Sequence, residues 1–217
     1  MIAKVNEIEL YYEKLGEGRP LIMVHGNGED HSIFDKAADI LKDDFTCYLL
    51  DSRDHGKSTK TDTLHYEDMA EDMTAFMEEL GLEDAVFYGF SDGGIVGLMA
   101  AAKSSHISTL ITSGANITPD GVKPGLKAFI KFLYFFFKDP KFALMLNEPH
   151  ISDELLRSIK AKTLVLAGSR DLVTEEETRH IAETVPGAEL RILKGEGHGS
   201  YIVHKAKIAE IIKEFAL

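Results

Sequence analysis

Short apolar runs and longer amphipathic stretches alternate along most of the chain. Residues 21–24 (LIMV) are continuously apolar, which is typical of a strand covered on both faces. Between such runs, apolar residues recur at helical spacing, most clearly in residues 66–80, which Gly81 ends. The pattern predicts further strands at residues 45–50, 85–88, 107–112, 163–167 and 189–193, and further helices at residues 33–41, 92–102 and 175–185.

The N-terminal residues show a different pattern. Apolar residues alternate with polar ones from Val5 to Tyr12, and Asn6 and Glu7 stand at a possible turn, which predicts an antiparallel hairpin. The strands that follow alternate with helices, which indicates an α/β protein with a doubly wound, mostly parallel sheet. Ligands of such sheets bind at the carboxyl ends of the strands. We therefore expect one domain, residues 1–217, with its site at that edge.

Residues 117–160 interrupt the alternation and predict an insertion. Prolines and glycines divide this stretch, and one helical face carries Phe129, Phe132, Leu133 and Phe136. The opposite face carries Lys127, Lys131 and Lys138. We interpret the insertion as a short amphipathic helical cap over the active edge of the sheet. Most of its aromatic residues are expected to pack against the sheet, and a few to line an apolar pocket.

Composition and charge narrow the possible partners. Hydrophobic residues make up 44% and charged residues 28% of the 217 residues, which is typical of a globular protein. The net charge of −12 disfavours both nucleic acid and anionic membrane surfaces as partners. No stretch reaches the roughly 20 apolar residues of a membrane span. The start lacks the layout of a signal peptide, so we expect a cytoplasmic location.

Several polar features are predicted to be structural. The only cysteine, Cys47, lies in an apolar run and is interpreted as a small buried hydrophobic residue. Gly56-Lys57-Ser58 resembles the end of a phosphate-binding loop, but Asp51 occupies the position where that loop needs glycine. A solvated face is predicted for the acidic residues between 67 and 84. They are Glu67, Asp68, Glu71, Asp72, Glu78, Glu79, Glu83 and Asp84.

The strongest chemical signal is the sequence Gly89-Phe90-Ser91-Asp92-Gly93, between a predicted strand and a predicted helix. It fits the pattern G-x-S-x-G, in which glycines let two backbone segments approach closely around a strained serine. By itself the pentapeptide also fits a plain turn. A serine hydroxyl becomes a good nucleophile only with a base, an orienting carboxylate and oxyanion donors.

Candidates for these partners follow other predicted strands. Asp171 stands where the strand at 163–167 has ended, and His198 lies between two glycines after the last strand. The order Ser, Asp, His is the one that this architecture requires. His204 is the alternative base, placed by the pattern inside the final helix. The backbone N–H of Asn27, in the turn after the first buried strand, is a candidate oxyanion donor, although that turn also fits a plain connection.

With these residues in place, the chain resembles the α/β-hydrolase superfamily over nearly its whole length, and is similar to its small carboxylesterases and enol-lactonases. The matching motifs are HGNG at 25–28, DSRDHGKS at 51–58, GFSDG at 89–93 and the loops of Asp171 and His198. The resemblance implies Ser91 as nucleophile, His198 as general base and Asp171 as orienting carboxylate. It also implies the backbone N–H groups of Asn27 and Asp92 as oxyanion donors.

The resemblance also implies differences from parts of the superfamily. The family usually has glycine where Asp54 stands, so the contribution of that loop is open. Serine in the turn at residue 91 argues against dehalogenases and epoxide hydrolases, which use aspartate there. The cap is shorter than in the similar esterases, which implies a more open site with tolerance of varied acyl groups.

The sequence therefore predicts a hydrolase of small-molecule esters or lactones that works through an acyl-enzyme and requires no metal or cofactor. Two alternatives remain open. The chain could be a ligand-sensing protein with little turnover, or a carbon–carbon bond hydrolase that uses the same three residues. The sequence leaves the natural substrate, the acyl chain length and the oligomeric state open.

Overall fold

The computed structural model describes residues 1–217 and contains eight strands and eight α-helices. The strands are β1 (Ile2–Val5), β2 (Ile8–Leu15), β3 (Arg19–Val24), β4 (Phe45–Leu50), β5 (Ala85–Phe90), β6 (Ile107–Ser113), β7 (Lys162–Arg170) and β8 (Glu189–Gly197). The helices are α1 (Asp35–Leu41), α2 (Tyr66–Glu79), α3 (Asp92–Lys103), α4 (Pro124–Phe137), α5 (Pro140–Asn147), α6 (Asp153–Ser158), α7 (Glu175–Thr184) and α8 (Lys207–Ala216). A short 3-10 helix, His31–Phe34, precedes α1.

The strands form one sheet in the order β1-β2-β4-β3-β5-β6-β7-β8. β1, β2 and β4 pair antiparallel, and every pair from β4 to β8 is parallel. The predicted N-terminal hairpin is confirmed: Val5 pairs with Ile8, and Asn6 and Glu7 both have positive φ, as a tight two-residue turn requires. Because β4 and β5 lie on opposite sides of β3, the direction of winding reverses at the centre of the sheet.

Helices cover both faces of the sheet, which confirms the doubly wound class. Successive residues of β5 face opposite ways: Phe87 belongs to a core of 37 buried residues under α2, α3, α6 and α7. Tyr88 belongs to a core of 23 buried residues under α1 and α8. Cys47 in β4 lies in the second core, fully buried as predicted, and burial raises the pKa of its thiol to about 12.

Two sequence-based placements are wrong. His204 does not lie inside the final helix, which begins only at Lys207. Its backbone has φ 52° and its N–H donates to the Ile33 carbonyl, so it belongs to the turn before α8. Asp72 is not on a solvated face but fully buried, because the Arg53 guanidinium donates to both of its carboxylate oxygens.

The cap segment, residues 117–160, contains α4, α5 and α6 between β6 and β7. The expectation that most of its aromatic residues pack against the sheet is wrong. In α4 only Ile130 is buried, and the helix packs mainly on α5. Its apolar surface therefore exceeds what its neighbours cover. The exposed aromatic side chains are Phe129, Phe132, Phe135, Phe136 and Phe137.

No helix combines the length and the apolar character that crossing a membrane would require.

Candidate active site

The turn between β5 and α3 holds Ser91 in a strained conformation. Ser91 has φ 53° and ψ −115°, which side chains rarely adopt. The glycines on either side are required by close backbone contacts. A Cβ on Gly89 would lie 2.1 Å from the Gly93 carbonyl oxygen, and a Cβ on Gly93 would lie 2.1 Å from that of Val24. The turn thus presents the Ser91 hydroxyl at the carboxyl edge of the sheet, beside the end of β3.

The structure brings Asp171 and His198 to this serine. Asp171 follows β7 and His198 follows β8, so two adjacent parallel strands deliver them to the same edge. His198 Nδ1 lies 2.6 Å from Asp171 Oδ1, and His198 Nε2 lies 3.0 Å from Ser91 Oγ. The carboxylate accepts a hydrogen bond from the Nδ1–H group, which leaves Nε2 as the acceptor for the serine hydroxyl. His204 instead contacts Asp35, through a 2.9 Å hydrogen bond.

Asp171 is held as a carboxylate by its surroundings. Burial alone would raise its pKa, but hydrogen bonds from His198 and from the backbone N–H groups of Val173 and Gly168 outweigh burial. The pKa of Asp171 therefore lies below its ordinary value. A negative charge fixed at this atom favours the imidazolium that His198 forms when it takes a proton.

Gly114, at the end of β6, provides the space that His198 occupies. A Cβ on Gly114 would lie 2.7 Å from His198 Cε1 and 2.8 Å from its Nδ1, and the residue has φ +64°. Phe90 packs against the other side, with 4.9 Å between ring centroids. This glycine was not predicted from the sequence as part of the site. Its only signal is its position directly after a strand of the parallel sheet.

Two backbone N–H groups beside Ser91 make no hydrogen bond inside the protein, those of Asn27 and Asp92. The Asn27 side-chain amide donates to Asp92 Oδ2 at 2.9 Å, so the turn after β3 is tied to the start of α3. Asp92 is buried, and burial raises the pKa of its carboxyl group. The N–H of Gly26 is already used, because it donates to Glu29 Oε2 at 3.0 Å.

His25 supports the turn that follows β3. This supporting function was not predicted from the sequence. The Ser52 N–H donates to His25 Nε2 at 3.1 Å, so the proton sits on Nδ1, which lies 2.8 Å from the Gly26 carbonyl. Burial lowers the pKa of His25 to about 4, with the neighbouring His55 as a smaller cause. A neutral imidazole thus joins the loops that follow β3 and β4.

The serine opens into a cavity of about 250 Å³ between the sheet edge and the cap segment. Four of its apolar residues belong to α4: Leu126, Phe129, Ile130 and Leu133. The acidic residues Glu29, Asp92 and Glu148 also line it, and no lysine or arginine does. Burial raises the pKa of Glu29 above its usual range. The remaining apolar lining comes from Tyr66, Phe90, Val122, Phe142, Met145, Leu172 and Val173.

The loop after β4 connects the cap segment to the core. Asp54 forms an ion pair with Lys141 of α5, and both side chains are largely buried. The carbonyl of Lys141 accepts a 3.3 Å hydrogen bond from the Asn27 amide. Asp54 has φ 62°, so the backbone conformation that glycine would adopt most easily is held here by an aspartate.

One cluster has the residue types of a metal site, Asp30, His31 and Asp51. Hydrogen bonds account for its arrangement. Asp51 Oδ1 accepts from the N–H of His31 and lies 2.7 Å from its Nδ1, while Asp51 Oδ2 accepts from the N–H of Lys57. The cluster fastens the 3-10 helix to the end of β4 and does not face the cavity around Ser91.

Comparisons with known proteins agree with this architecture. A family model described as alpha/beta hydrolase fold matches residues 19–145. The AB hydrolase superfamily protein YisY of Bacillus subtilis is 25% identical, over 96% of each chain. The serine hydrolase BPHL of Mus musculus is 25% identical, over 97% of this chain and 84% of its own.

Solved structures show the same fold. A meta-cleavage product hydrolase from Pseudomonas fluorescens superposes with a TM-score of 0.84 at 19% identity, over 100% of this chain and 97% of that one. The enol-lactonase from Burkholderia xenovorans superposes with a TM-score of 0.81 at 21% identity, over 100% of this chain and 99% of that one.

Proposed function

Because the chain belongs to the α/β-hydrolase family, we propose that it is a serine hydrolase that cleaves a carboxylic ester or lactone of a small molecule through an acyl-enzyme. The observation that carries the proposal is the hydrogen-bonded line from Asp171 through His198 to Ser91, which ends on a strained serine at an apolar cavity. A partial match to an esterase also supports the proposal: a pimeloyl-[acyl-carrier protein] methyl ester esterase of Vibrio cholerae is 31% identical over 48% of this chain and 39% of its own.

In the acylation step, Ser91 Oγ attacks the carbonyl carbon of the ester while its proton passes to His198 Nε2. The carbonyl oxygen becomes an oxyanion and accepts hydrogen bonds from the free N–H groups of Asn27 and Asp92. The dipole of α3 favours the same negative charge, because the helix begins at Asp92. As the carbon–oxygen bond to the alcohol breaks, the imidazolium gives its proton to the leaving oxygen.

Deacylation repeats these steps with water. His198 Nε2 takes a proton from water, whose oxygen attacks the acyl carbon, and the second oxyanion occupies the same two donors. When the bond to Ser91 Oγ breaks, His198 returns the proton to that oxygen. Asp171 stays ionised throughout, which is consistent with its lowered pKa.

The lining of the cavity supports a neutral, apolar acyl group as substrate. Most of its side chains are hydrophobic, and its carboxyl groups are those of Glu29, Asp92 and Glu148. An anionic acyl group would meet Glu29 and Glu148 without a lysine or arginine to balance it. A neutral ester avoids this repulsion, since no desolvated like charges face each other.

The direct test is Ser91→Ala, assayed with short p-nitrophenyl esters. We expect kcat to fall by about 10⁴-fold or more, because the nucleophile is removed while the fold is kept. Ser158→Ala, at an exposed serine of α6, is the matched control and should retain full activity. Undiminished hydrolysis by the Ser91 variant would contradict the proposal.

The same assay separates the two alternatives. A ligand-sensing protein would acylate Ser91 once and release product in a single stoichiometric burst, whereas an enzyme gives many turnovers. A carbon–carbon bond hydrolase would leave esters intact and cleave diketones. Multiple turnovers on esters or lactones are the expected result.

A further inference from the structure

The outer side of α4 carries an unusual set of exposed aromatic residues. Phe132, Phe135 and Phe136 are 58%, 69% and 61% exposed, and all exposed phenylalanines of the chain lie on this helix. They form one patch: the ring centroids of Phe132 and Phe136 lie 4.9 Å apart, and those of Phe135 and Phe136 lie 5.2 Å apart. A contiguous apolar patch of this kind marks an interaction surface.

Phe135 lies at the edge of this patch nearest to the opposite, lysine-bearing face of α4, so two lysines border the patch there. Lys131 precedes Phe135 by one helical turn, and Lys138 follows the helix with its ammonium group 4.9 Å from the Tyr134 ring centroid. Neither lysine forms an ion pair, whereas Lys127 and Lys141 of the cap segment do. We refer to the exposed phenylalanines of α4 together with Lys131 and Lys138 as the aromatic–lysine face.

The local charge is opposite to that of the whole molecule. The cap segment, residues 117–160, contains six lysines, one arginine and five acidic residues, a charge of +2, in a chain with a net charge of −12. The whole-chain charge disfavours anionic surfaces, but screening limits such repulsion to about 10 Å at ordinary salt. A surface that touches only the cap segment therefore meets a positive charge.

The aromatic–lysine face adjoins the cavity around Ser91. Phe129 belongs to both, since it is 56% exposed and also lines the cavity together with Leu126 and Leu133 of the same helix. An apolar molecule that leaves a hydrophobic phase at this face can therefore reach the cavity along one continuous apolar surface.

We propose that the aromatic–lysine face docks on an anionic phospholipid surface and that the substrate of Ser91 is an apolar ester taken from that surface. Phenylalanine rings would enter the boundary of the acyl chains, while Lys131 and Lys138 extend to the anionic headgroups. A helix with aromatic residues on one side and lysines beside them is typical of such interfacial binding. The docking proposal depends only on the residues of the cap segment. The proposal that the substrate comes from the lipid surface also rests on the proposed hydrolase function.

A second copy of the chain fits this face less well. In a two-fold symmetric dimer the same patch meets itself, which would bring the positive charges of Lys131 and Lys138 from both copies into one contact. Like charges at the rim of a desolvated apolar contact oppose association, whereas anionic headgroups neutralise them. The charge of the face therefore favours a lipid surface as its occupant.

The test is co-sedimentation of the full chain with vesicles of phosphatidylcholine, alone or in an equimolar mixture with phosphatidylglycerol. We expect binding to the anionic vesicles that weakens with added salt. Phe135→Ser with Phe136→Ser should weaken binding by at least about tenfold, because burying one such ring corresponds to about that factor. Lys131→Glu with Lys138→Glu should weaken binding to anionic vesicles by a similar factor.

Matched controls use residues outside the face. Lys36→Glu with Lys160→Glu makes the same change in net charge at two exposed lysines that form no ion pair, and should bind vesicles as the unchanged chain does. Ser91→Ala should also bind fully. If Ser91→Ala keeps ester hydrolysis, the proposed function fails while docking stands.

Other outcomes would overturn the docking proposal. One is no binding to either vesicle. Another is equal loss of binding in the Lys36/Lys160 control. A third is a dimer, detected by light scattering without lipid, that the Phe135 and Phe136 substitutions dissociate, because the face would then be a contact between copies.

Discussion

At the scale of single residues, Gly114 is important for the site because it has no side chain. The His198 ring occupies the space where a Cβ would lie, so a methyl group there must displace the ring from Ser91. A shift of about 1 Å in a group of this kind costs on the order of 100-fold in rate. The position of the imidazole thus depends on a residue from a different strand.

We predict that Gly114→Ala lowers kcat on short esters by about 100-fold while the protein remains folded. The measurement is steady-state kinetics, together with urea unfolding to follow stability. Gly187→Ala is the matched control, because Gly187 has φ +70° and open space around it. It should show a similar loss of stability, about 1 kcal/mol, and an unchanged kcat. Equal kcat values for the two variants would show that His198 does not need this space.

At the scale of secondary-structure elements, one residue of α5 makes polar contacts with two loops of the core. Lys141 contacts Asp54 with its side chain and Asn27 with its carbonyl oxygen. These contacts give a structural reason for an aspartate at a position where the family usually has glycine. Asp54 adopts a left-handed backbone conformation and holds α5 through its ion pair with Lys141. The loop after β4 is therefore a support for the cap segment.

For Asp54→Gly we predict a rise in KM on the order of tenfold, equivalent to about 1.4 kcal/mol, with kcat nearly unchanged. Glycine relieves the strain of the left-handed backbone, which offsets part of the cost of leaving the Lys141 ammonium group without its partner. The loss should appear in substrate binding, because α5 contributes Phe142 and Met145 to the cavity. Asp54→Asn, which keeps an acceptor for Lys141, should raise KM less. Wild-type KM in the glycine variant would contradict the supporting function.

At the scale of the whole molecule, the neutral His25 makes stability depend on pH. Its pKa is about 4 in the fold and about 6.5 when unfolded, so between these values the unfolded chain binds more protons. Its contribution to the free energy of unfolding is fully present above pH 6.5 and is lost as the pH falls to 4. The difference corresponds to about 3 kcal/mol.

We predict that His25→Gln reduces the pH dependence of stability between pH 6.5 and 4, measured by urea unfolding at several pH values. Its stability at neutral pH should fall, because Gly26 and Ser52 lose a well-placed partner. An NMR titration of the unchanged protein gives a second measurement that needs no variant. There the His25 ring should stay neutral well below pH 6, and protonation near pH 6.5 would contradict the prediction.

Much of the fold and the serine's surroundings could be predicted because they depend on local pattern and on strand direction. The glycines around Ser91 are local requirements, and parallel strands deliver Asp171 and His198 to one edge. The features that could not be predicted depend on contacts between segments that are distant in the sequence. Asp72 is buried only because Arg53 reaches it, and the periodicity of α4 identified an apolar face without showing how little of it the neighbours cover.

The buried thiol of Cys47 makes the protein convenient for attaching reporter groups. The chain has one native sulfhydryl, and packing inside β4 keeps it out of reach of maleimides and methanethiosulfonates. A cysteine introduced on the surface, such as Phe135→Cys, would then be the sole site of modification, with no need to remove a native residue. A fluorophore or nitroxide placed there would report directly whether α4 is in water or in lipid.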